Sequence, residues 1–200
     1  MKEAFIEKML GVKTEGDQIG FHNHFHYHPY EPTPYFALDK LFADYKLSSS
    51  DEVVDFGSGK GRLNFYLNYL FNSFVVGIEH NPAFYYEAIK NRNSYLRNFK
   101  NRGDRIRFEN CLAEEYEISS RENKFYFFNP FSVQIFMKVM KNILISAEKN
   151  AREIEIILYY PSQDYIHYLD TRTPFRKIKE ISLFEKNIDE RFLIYRLYYF

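Results

Sequence analysis

Glycines at every second position close the stretch VVDFGSGKGR, and this spacing is the chain's clearest chemical signal. Val53, Val54 and Phe56 read as a buried strand. Gly57, Gly59 and Gly61 read as a turn in which residues without a Cβ take φ > 0 and let a ligand come against the backbone. The next stretch, LNFYLNYLFN, places Leu63, Leu67, Leu70 and Phe71 on one face at helical spacing. The turn therefore meets a helix N-terminus with unpaired amides, a place for an anion, a carboxylate as readily as a phosphate. Glu79 stands 18 residues beyond Gly61, at the end of a second apolar run, FVVGIEH. At that distance a Rossmann-type fold brings an acidic side chain to ribose hydroxyls, and a carboxylate can accept from two vicinal hydroxyls at once. The plainer alternative is a surface glutamate at a strand end.

KFYFFNPF carries the second signal. An aromatic strand, Phe125 to Asn129, ends in Asn129-Pro130-Phe131. Asn129 offers an amide oxygen, Pro130 a carbonyl without its own N–H, and Phe131 a flat ring. Two acceptors beside a ring suit an NH-bearing nucleophile, while helix capping by Asn129 or Ser132 is the competing reading. A third pattern is FHNHFHYHPYEPTPYF, where His22, His24, His26 and His28 alternate with Phe21, Phe25 and Tyr27. On an extended chain the four imidazoles share one face. Neighbours two apart on one strand rarely converge on an ion, so the segment reads as an extended lid with a polar face and no metal site is expected. Tyr30, Thr33 and Tyr35 are the lid residues expected to reach the site, and His28 or His26 is a candidate base.

The elements that position these residues follow from pattern. The chain has 200 residues, 46% of them hydrophobic, with a formal net charge of zero. That suits one core-forming unit, an N-terminal lid and helical extension over 1–47 joined to a binding domain over 48–200. Zero charge argues against a bulk nucleic-acid or membrane-surface binder. No run approaches the roughly 20 apolar residues of a membrane span. The single cysteine, Cys111, permits no internal disulfide, and a cytoplasmic location is expected. Phe5, Ile6, Met9 and Leu10 suggest a first helix, and Phe36, Leu38, Leu41, Phe42 and Tyr45 a second. Pro82 opens a helix, IRFENCLA is a third strand, and a helix from Ser132 to about Glu148 precedes the strand EIEIILYYP. The basic run from Lys90 to Arg107 reads as a solvated face. Residues 175–184 and RFLIYRLYYF form an antiparallel hairpin. Five strands alternating with helices give an α/β fold, a doubly wound, mostly parallel sheet with helices on both faces and an antiparallel edge.

DFGSGKGR followed by Glu79 resembles the first two motifs of class I, seven-β-strand S-adenosylmethionine-dependent methyltransferases, and FFNPF resembles their fourth. The resemblance covers about residues 50 to 200, with EPTPYFALDKLF as a helix preceding the core. It implies S-adenosylmethionine as cofactor and S-adenosylhomocysteine as product. It further implies that Asp55 with the backbone of Gly57, Ser58, Gly59, Gly61 and Arg62 holds the amino-acid portion, and that Glu79 and His80 face the ribose. The usual Asp for the adenine amine is absent from Asn110-Cys111-Leu112-Ala113, which leaves Asn110 and the Leu112 and Ala113 amides for that role. Asn129, Pro130 and Phe131 resemble the (N/D)-P-P-(Y/F) motif of amino methyltransferases without its second proline, and point to a nitrogen acceptor.

The expected acceptor is a small-molecule or protein amine. A nucleic acid, RNA in particular, is the alternative acceptor. A NAD-dependent oxidoreductase, against which Arg62 argues by standing where a third Rossmann glycine belongs, and a non-catalytic nucleotide-binding module are the alternative functions. The oligomeric state is not legible in the sequence.

Overall fold

The computed structural model describes residues 2–16, 28, 30–184 and 187–198. His22, His24, His26 and their aromatic neighbours lie outside the described residues. The strands are β1 (Glu52–Phe56), β2 (Phe74–Ile78), β3 (Ile106–Glu109), β4 (Glu122–Phe127), β5 (Glu155–Tyr159), β6 (Phe175–Ser182) and β7 (Arg191–Leu197). The helices are α1 (Lys2–Leu10), α2 (Tyr35–Asp44), α3 (Arg62–Phe71), α4 (Pro82–Asn98), α5 (Val133–Lys149) and α6 (Gln163–Arg172).

The strands form one sheet in the order β3-β2-β1-β4-β5-β7-β6. β1 pairs parallel with both β2 and β4, and β3 and β5 extend the parallel sheet on either side. β7 runs antiparallel between β5 and β6. The C-terminal hairpin is thus present as the sequence predicts, but its second strand is inserted next to β5 and its first becomes the edge.

Alternation along the buried strands divides the core into two layers. Val53, Val75, Tyr126, Ile157 and Ile194 pack with Leu10 of α1, Leu38 of α2, Leu63 and Leu67 of α3, and Ala88 and Tyr95 of α4. Val54, Phe56, Phe125, Phe127, Ile156, Leu158 and Leu193 pack with Phe136, Val139 and Ile143 of α5 and Tyr165 and Leu169 of α6. Full burial of each such aliphatic or phenyl side chain stabilises the fold by about 1.5–3 kcal/mol. Because α1 and α2 share the first layer, the N-terminal extension is packed directly on the sheet.

Three expectations are corrected. Leu70 is 40% exposed, so the apolar face of α3 ends a turn early, while half-buried Phe71 meets Phe42 at 5.2 Å between ring centroids. Helix α6 follows a three-residue link after β5 and was not apparent from sequence pattern; it buries only Tyr165 and Leu169, and the Ser162 hydroxyl accepts from the Tyr165 N–H at 3.3 Å. The basic run is only partly a solvated face. Arg92 donates to the Gly103 and Ile106 carbonyls, Arg102 to those of Asn68 and Tyr69, and Arg105 to those of Ser49 and Asn72.

Candidate functional site

β1 is buried at every position, and the chain leaving it must turn sharply to enter α3. Gly57, Gly59 and Gly61 make that turn at φ values of 80°, 54° and 88°, a region in which L residues with a Cβ are strained. The Gly57 and Ser58 amides both donate to the Ile78 carbonyl, which ties the turn to the end of β2. Gly61 is the N-cap of α3, and no side chain caps that helix.

Glu79 follows β2 directly, is 5% exposed, and grips the turn. Its Oε2 accepts from the Gly59 N–H at 2.8 Å and its Oε1 from the Asn81 N–H at 2.8 Å. His80 Nδ1 lies 3.4 Å from Oε1. Asn110, at the end of β3, spends its Nδ2 on the Glu79 and His80 carbonyls at 2.7 and 3.1 Å, clamping two strand ends together. Of the other residues expected near the adenine, Ala113 is buried and Leu112 is 36% exposed.

Asp55 points beneath the turn, into α3. The Asn64 amide, turned to donate, lies 3.0 Å from Asp55 Oδ2 and accepts from the Gly77 N–H at 3.2 Å. Burial, reinforced by the nearby Glu79 carboxylate, pushes the Asp55 carboxyl up to about 8. Its placement therefore makes it a support of the turn, and direct contact with a ligand's amino-acid group does not follow from it.

Arg62, expected to serve a ligand through its backbone, buries its side chain among N-terminal groups. Its guanidinium donates to Glu3 Oε2 and to the Thr14 hydroxyl, each at 2.7 Å, and to Glu7 Oε1 at 3.4 Å. It also lies 4.6 Å above the centroid of the Tyr35 ring. Thr33 and Tyr35 are buried with it, and the Thr33 hydroxyl bonds to the Tyr126 hydroxyl at 2.7 Å. Both belong to the core beneath the expected lid.

Tyr30 alone among the three lies on the turn. A Cβ added to Gly59 would meet Tyr30 Cε2 at 2.0 Å. The Tyr30 hydroxyl donates to the Thr14 carbonyl at 2.6 Å, and its ring packs against Phe84 at 4.7 Å. Lys60 Nζ stands 5.1 Å from the Tyr30 ring centroid and donates to the Glu15 carbonyl at 3.0 Å. The sequence pattern gives neither Lys60, inside the glycine motif, nor Phe84, an apolar position of α4, a role at the site; Lys60 Nζ ties the Glu15 and Gly16 carbonyls to the turn.

Asn129-Pro130 abuts the same turn, since a Cβ on Gly57 would meet Pro130 Cβ at 2.5 Å. Asn129 has φ 40° and its Oδ1 is buried without a hydrogen-bond partner. The Pro130 carbonyl, expected to face an acceptor, accepts from the His28 N–H at 3.0 Å. Phe131 offers no ring to a ligand: it is 1% exposed, edge-on to Phe127 at 6.1 Å, and its carbonyl accepts from the Tyr165 hydroxyl at 2.5 Å. Half-buried Phe128 packs on Tyr159 at 4.6 Å between ring centroids. Among the described residues no group of three or more His, Cys, Asp or Glu could hold a metal ion, and no helix is long and apolar enough to cross a membrane.

No family model matches the chain, and no curated protein matches its sequence. Solved structures do resemble it. An RNA methyltransferase from Salinibacter ruber bound to S-adenosyl-L-homocysteine is 20% identical, with a TM-score of 0.56 over 84% of this chain and 92% of that one. An rRNA methylase from Streptococcus thermophilus is 13% identical, with a TM-score of 0.55 over 81% and 93%. The mitomycin 7-O-methyltransferase MmcR is 13% identical, with a TM-score of 0.59 over 82% of this chain and 53% of that one. At these identities the likeness is one of fold, the Rossmann-like sheet of class I methyltransferases.

Proposed function

We propose that this chain is an S-adenosylmethionine-dependent methyltransferase acting on a nitrogen of a small-molecule or protein amine. The observation that carries the reading is the contact between Gly57 and Pro130, which brings the glycine turn and the Asn-Pro corner together at the carboxyl ends of adjacent strands. Ligand chemistry in open α/β sheets belongs there.

The residues present fit the cofactor. The turn offers a glycine cradle that a Cβ would fill, an α3 N-terminus without a side-chain cap, and the orphaned, buried hydroxyl of Ser58. Glu79 would accept from the ribose hydroxyls in exchange for its grip on the Gly59 amide. When bound, S-adenosylmethionine supplies an electrophilic methyl group on a sulfonium. The protein's share is placement: the turn and Glu79 fix one partner, Asn129 Oδ1 receives an N–H of the other, and Tyr30 covers the turn against water. Orientation of this kind contributes several kcal/mol to such a displacement. A location in the cytoplasm accords with a chain whose only cysteine is unpaired.

Calorimetric titration with S-adenosylhomocysteine, with NADH as control, tests the reading. Micromolar binding of the former that is lost in Glu79→Ala is expected; binding of NADH alone would move the chain to the dehydrogenases. RNA as acceptor is the second reading, favoured by the nucleic-acid substrates named for two similar structures. It predicts steeply salt-dependent RNA binding.

A further inference from the structure

We propose that Lys60 is the latch of a cover over the glycine turn: it holds residues 14–16 and the Tyr30 ring against the turn, and a ligand reaches the backbone of Gly59 only when that hold is released. The proposal rests on the methyl-transfer reading above for the identity of the ligand alone.

The first part of the cover is the chain that follows α1. Up to Thr14 it is anchored by buried groups. The Lys13 N–H donates to Asn91 Oδ1 at 2.9 Å, Asn91 Nδ2 donates to the Lys13 carbonyl at 3.0 Å, and the Thr14 N–H donates to Glu7 Oε1 at 2.8 Å. Asn91 Nδ2 also donates to the Lys60 carbonyl at 3.0 Å, which sets the turn beside this segment. Beyond Thr14 the chain surfaces. Glu15 and Gly16 are exposed, and their carbonyls accept from Lys60 Nζ at 3.0 and 3.4 Å. Among the described residues other than its chain neighbours, a Cβ on Gly16 would meet only Lys60 Nζ, at 3.7 Å.

Tyr30 is the second part. Its hydroxyl donates to the Thr14 carbonyl and its ring packs on Phe84, while Lys60 Nζ stands 5.1 Å from the Tyr30 centroid and 6.0 Å from that of Phe84. One ammonium therefore meets both parts, through two carbonyls on one side and two aromatic faces on the other. Its charge strengthens both kinds of contact.

Beneath the ring lies Gly59. Tyr30 Cε2 comes within 2.0 Å of the point a Cβ there would occupy, and the Gly59 N–H is spent on Glu79 Oε2. A ligand that approaches this backbone displaces the ring, and the ring moves only by giving up the Thr14 carbonyl, Phe84 and Lys60. The binding-competent state is thus a fraction of the ligand-free protein, and that fraction scales the observed association rate. Lys60 acts through Tyr30 and the 15–16 carbonyls, which makes it a positioning residue.

The test pairs Lys60→Met, which keeps an unbranched apolar stem and removes the charge and its donors, with Lys60→Arg, which keeps the charge. 3-Fluorotyrosine placed at position 30 alone gives a 19F NMR signal for the ring in the ligand-free protein. In the wild type that signal should lie away from its position in urea-unfolded protein, and a signal already at the released position overturns the proposal without any variant. Lys60→Met should raise the share of released ring about tenfold or more, and Lys60→Arg should hold it near the wild type. Surface plasmon resonance with S-adenosylhomocysteine should then show association about tenfold faster in Lys60→Met at an unchanged dissociation rate. A ring signal that Lys60→Met leaves in place overturns the proposal. So does faster dissociation at an unchanged association rate, the mark of a lysine that touches the ligand itself. A ring released in Lys60→Met by a protein that binds no S-adenosylhomocysteine would sink the methyl-transfer reading and leave the latch standing; binding with the ring and the association rate unmoved would do the reverse.

Discussion

The ring of Tyr30 lies directly over the α-carbon of Gly59, so close that a Cβ at position 59 would fall 2.0 Å from Tyr30 Cε2. The glycine turn and the segment above it are therefore mutually fitted, and Tyr30 covers the surface that a ligand would approach. Gly59→Ala should expel the ring and strain a backbone already at φ 54°, lowering stability by about 1–3 kcal/mol. Tyr30→Ala should instead keep the turn and speed association of S-adenosylhomocysteine. Surface plasmon resonance reads this, and an unchanged association rate would show that Tyr30 does not lie on the path of entry.

Glu79 has two tasks in one carboxylate. Its oxygens satisfy the Gly59 and Asn81 amides, each at 2.8 Å, so removal leaves two donors without partners even before a ligand is considered. Glu79→Ala should lower the urea midpoint by an amount equivalent to about 1–3 kcal/mol and weaken S-adenosylhomocysteine by about 1–3 kcal/mol. Glu79→Gln, with one acceptor oxygen for two amides, should fall between. If affinity is unchanged in a folded Glu79→Ala, the ribose role is refuted and only the structural one remains.

Arg62 joins α1 to the turn. Buried at 5% exposure, it is met by Glu3, Glu7 and the Thr14 hydroxyl. Truncating one member of such a buried network strands the remaining charges, at about 3–5 kcal/mol. Arg62→Ala should therefore detach residues 2–14 before the sheet is affected. Hydrogen–deuterium exchange checks this: protection in α1 should drop while β1, β4 and β5 stay protected, and a uniform loss would mean that the N-terminal packing and the sheet form one cooperative unit.

These cases mark how far the sequence could be read. The turn and the sheet were legible because backbone geometry needs glycine at particular places and parallel strands need unbroken apolar runs. The roles of Arg62, Thr33 and Tyr35 were not, because a motif position states which side of the chain a residue occupies and not which distant helix will meet it. Arg62 sits in the motif, yet its partners lie 48 to 59 positions away. Phe131 misled for a related reason. Its neighbour Asn129 turns at φ 40°, which sends the Phe131 ring into the α5 layer. Helix α6 escaped notice because two buried residues in ten make a weak period.

Asp55 gives the pH dependence its sign. Its carboxyl is raised from 3.8 to about 8 in the folded protein, first by burial and then by Glu79. Between those two values the folded state holds a proton that the unfolded chain has lost, so stability falls as pH rises through this window. Below about pH 4 both states are protonated and the contribution is fully present; above about 8 both are ionised and it is gone. Asn64, placed to donate at 3.0 Å, offsets part of the penalty on the carboxylate. Asp55→Asn mimics the protonated form and cannot titrate. It should differ least from the wild type at the acid end and exceed it by a margin that widens from pH 5 toward pH 9, by about 1.4 kcal/mol per pH unit inside the window. Urea unfolding of both proteins at the two pH values measures this. A stability difference that does not change between pH 5 and pH 9 would mean that Asp55 is ionised in the fold throughout, and the turn would then rest on a charged support.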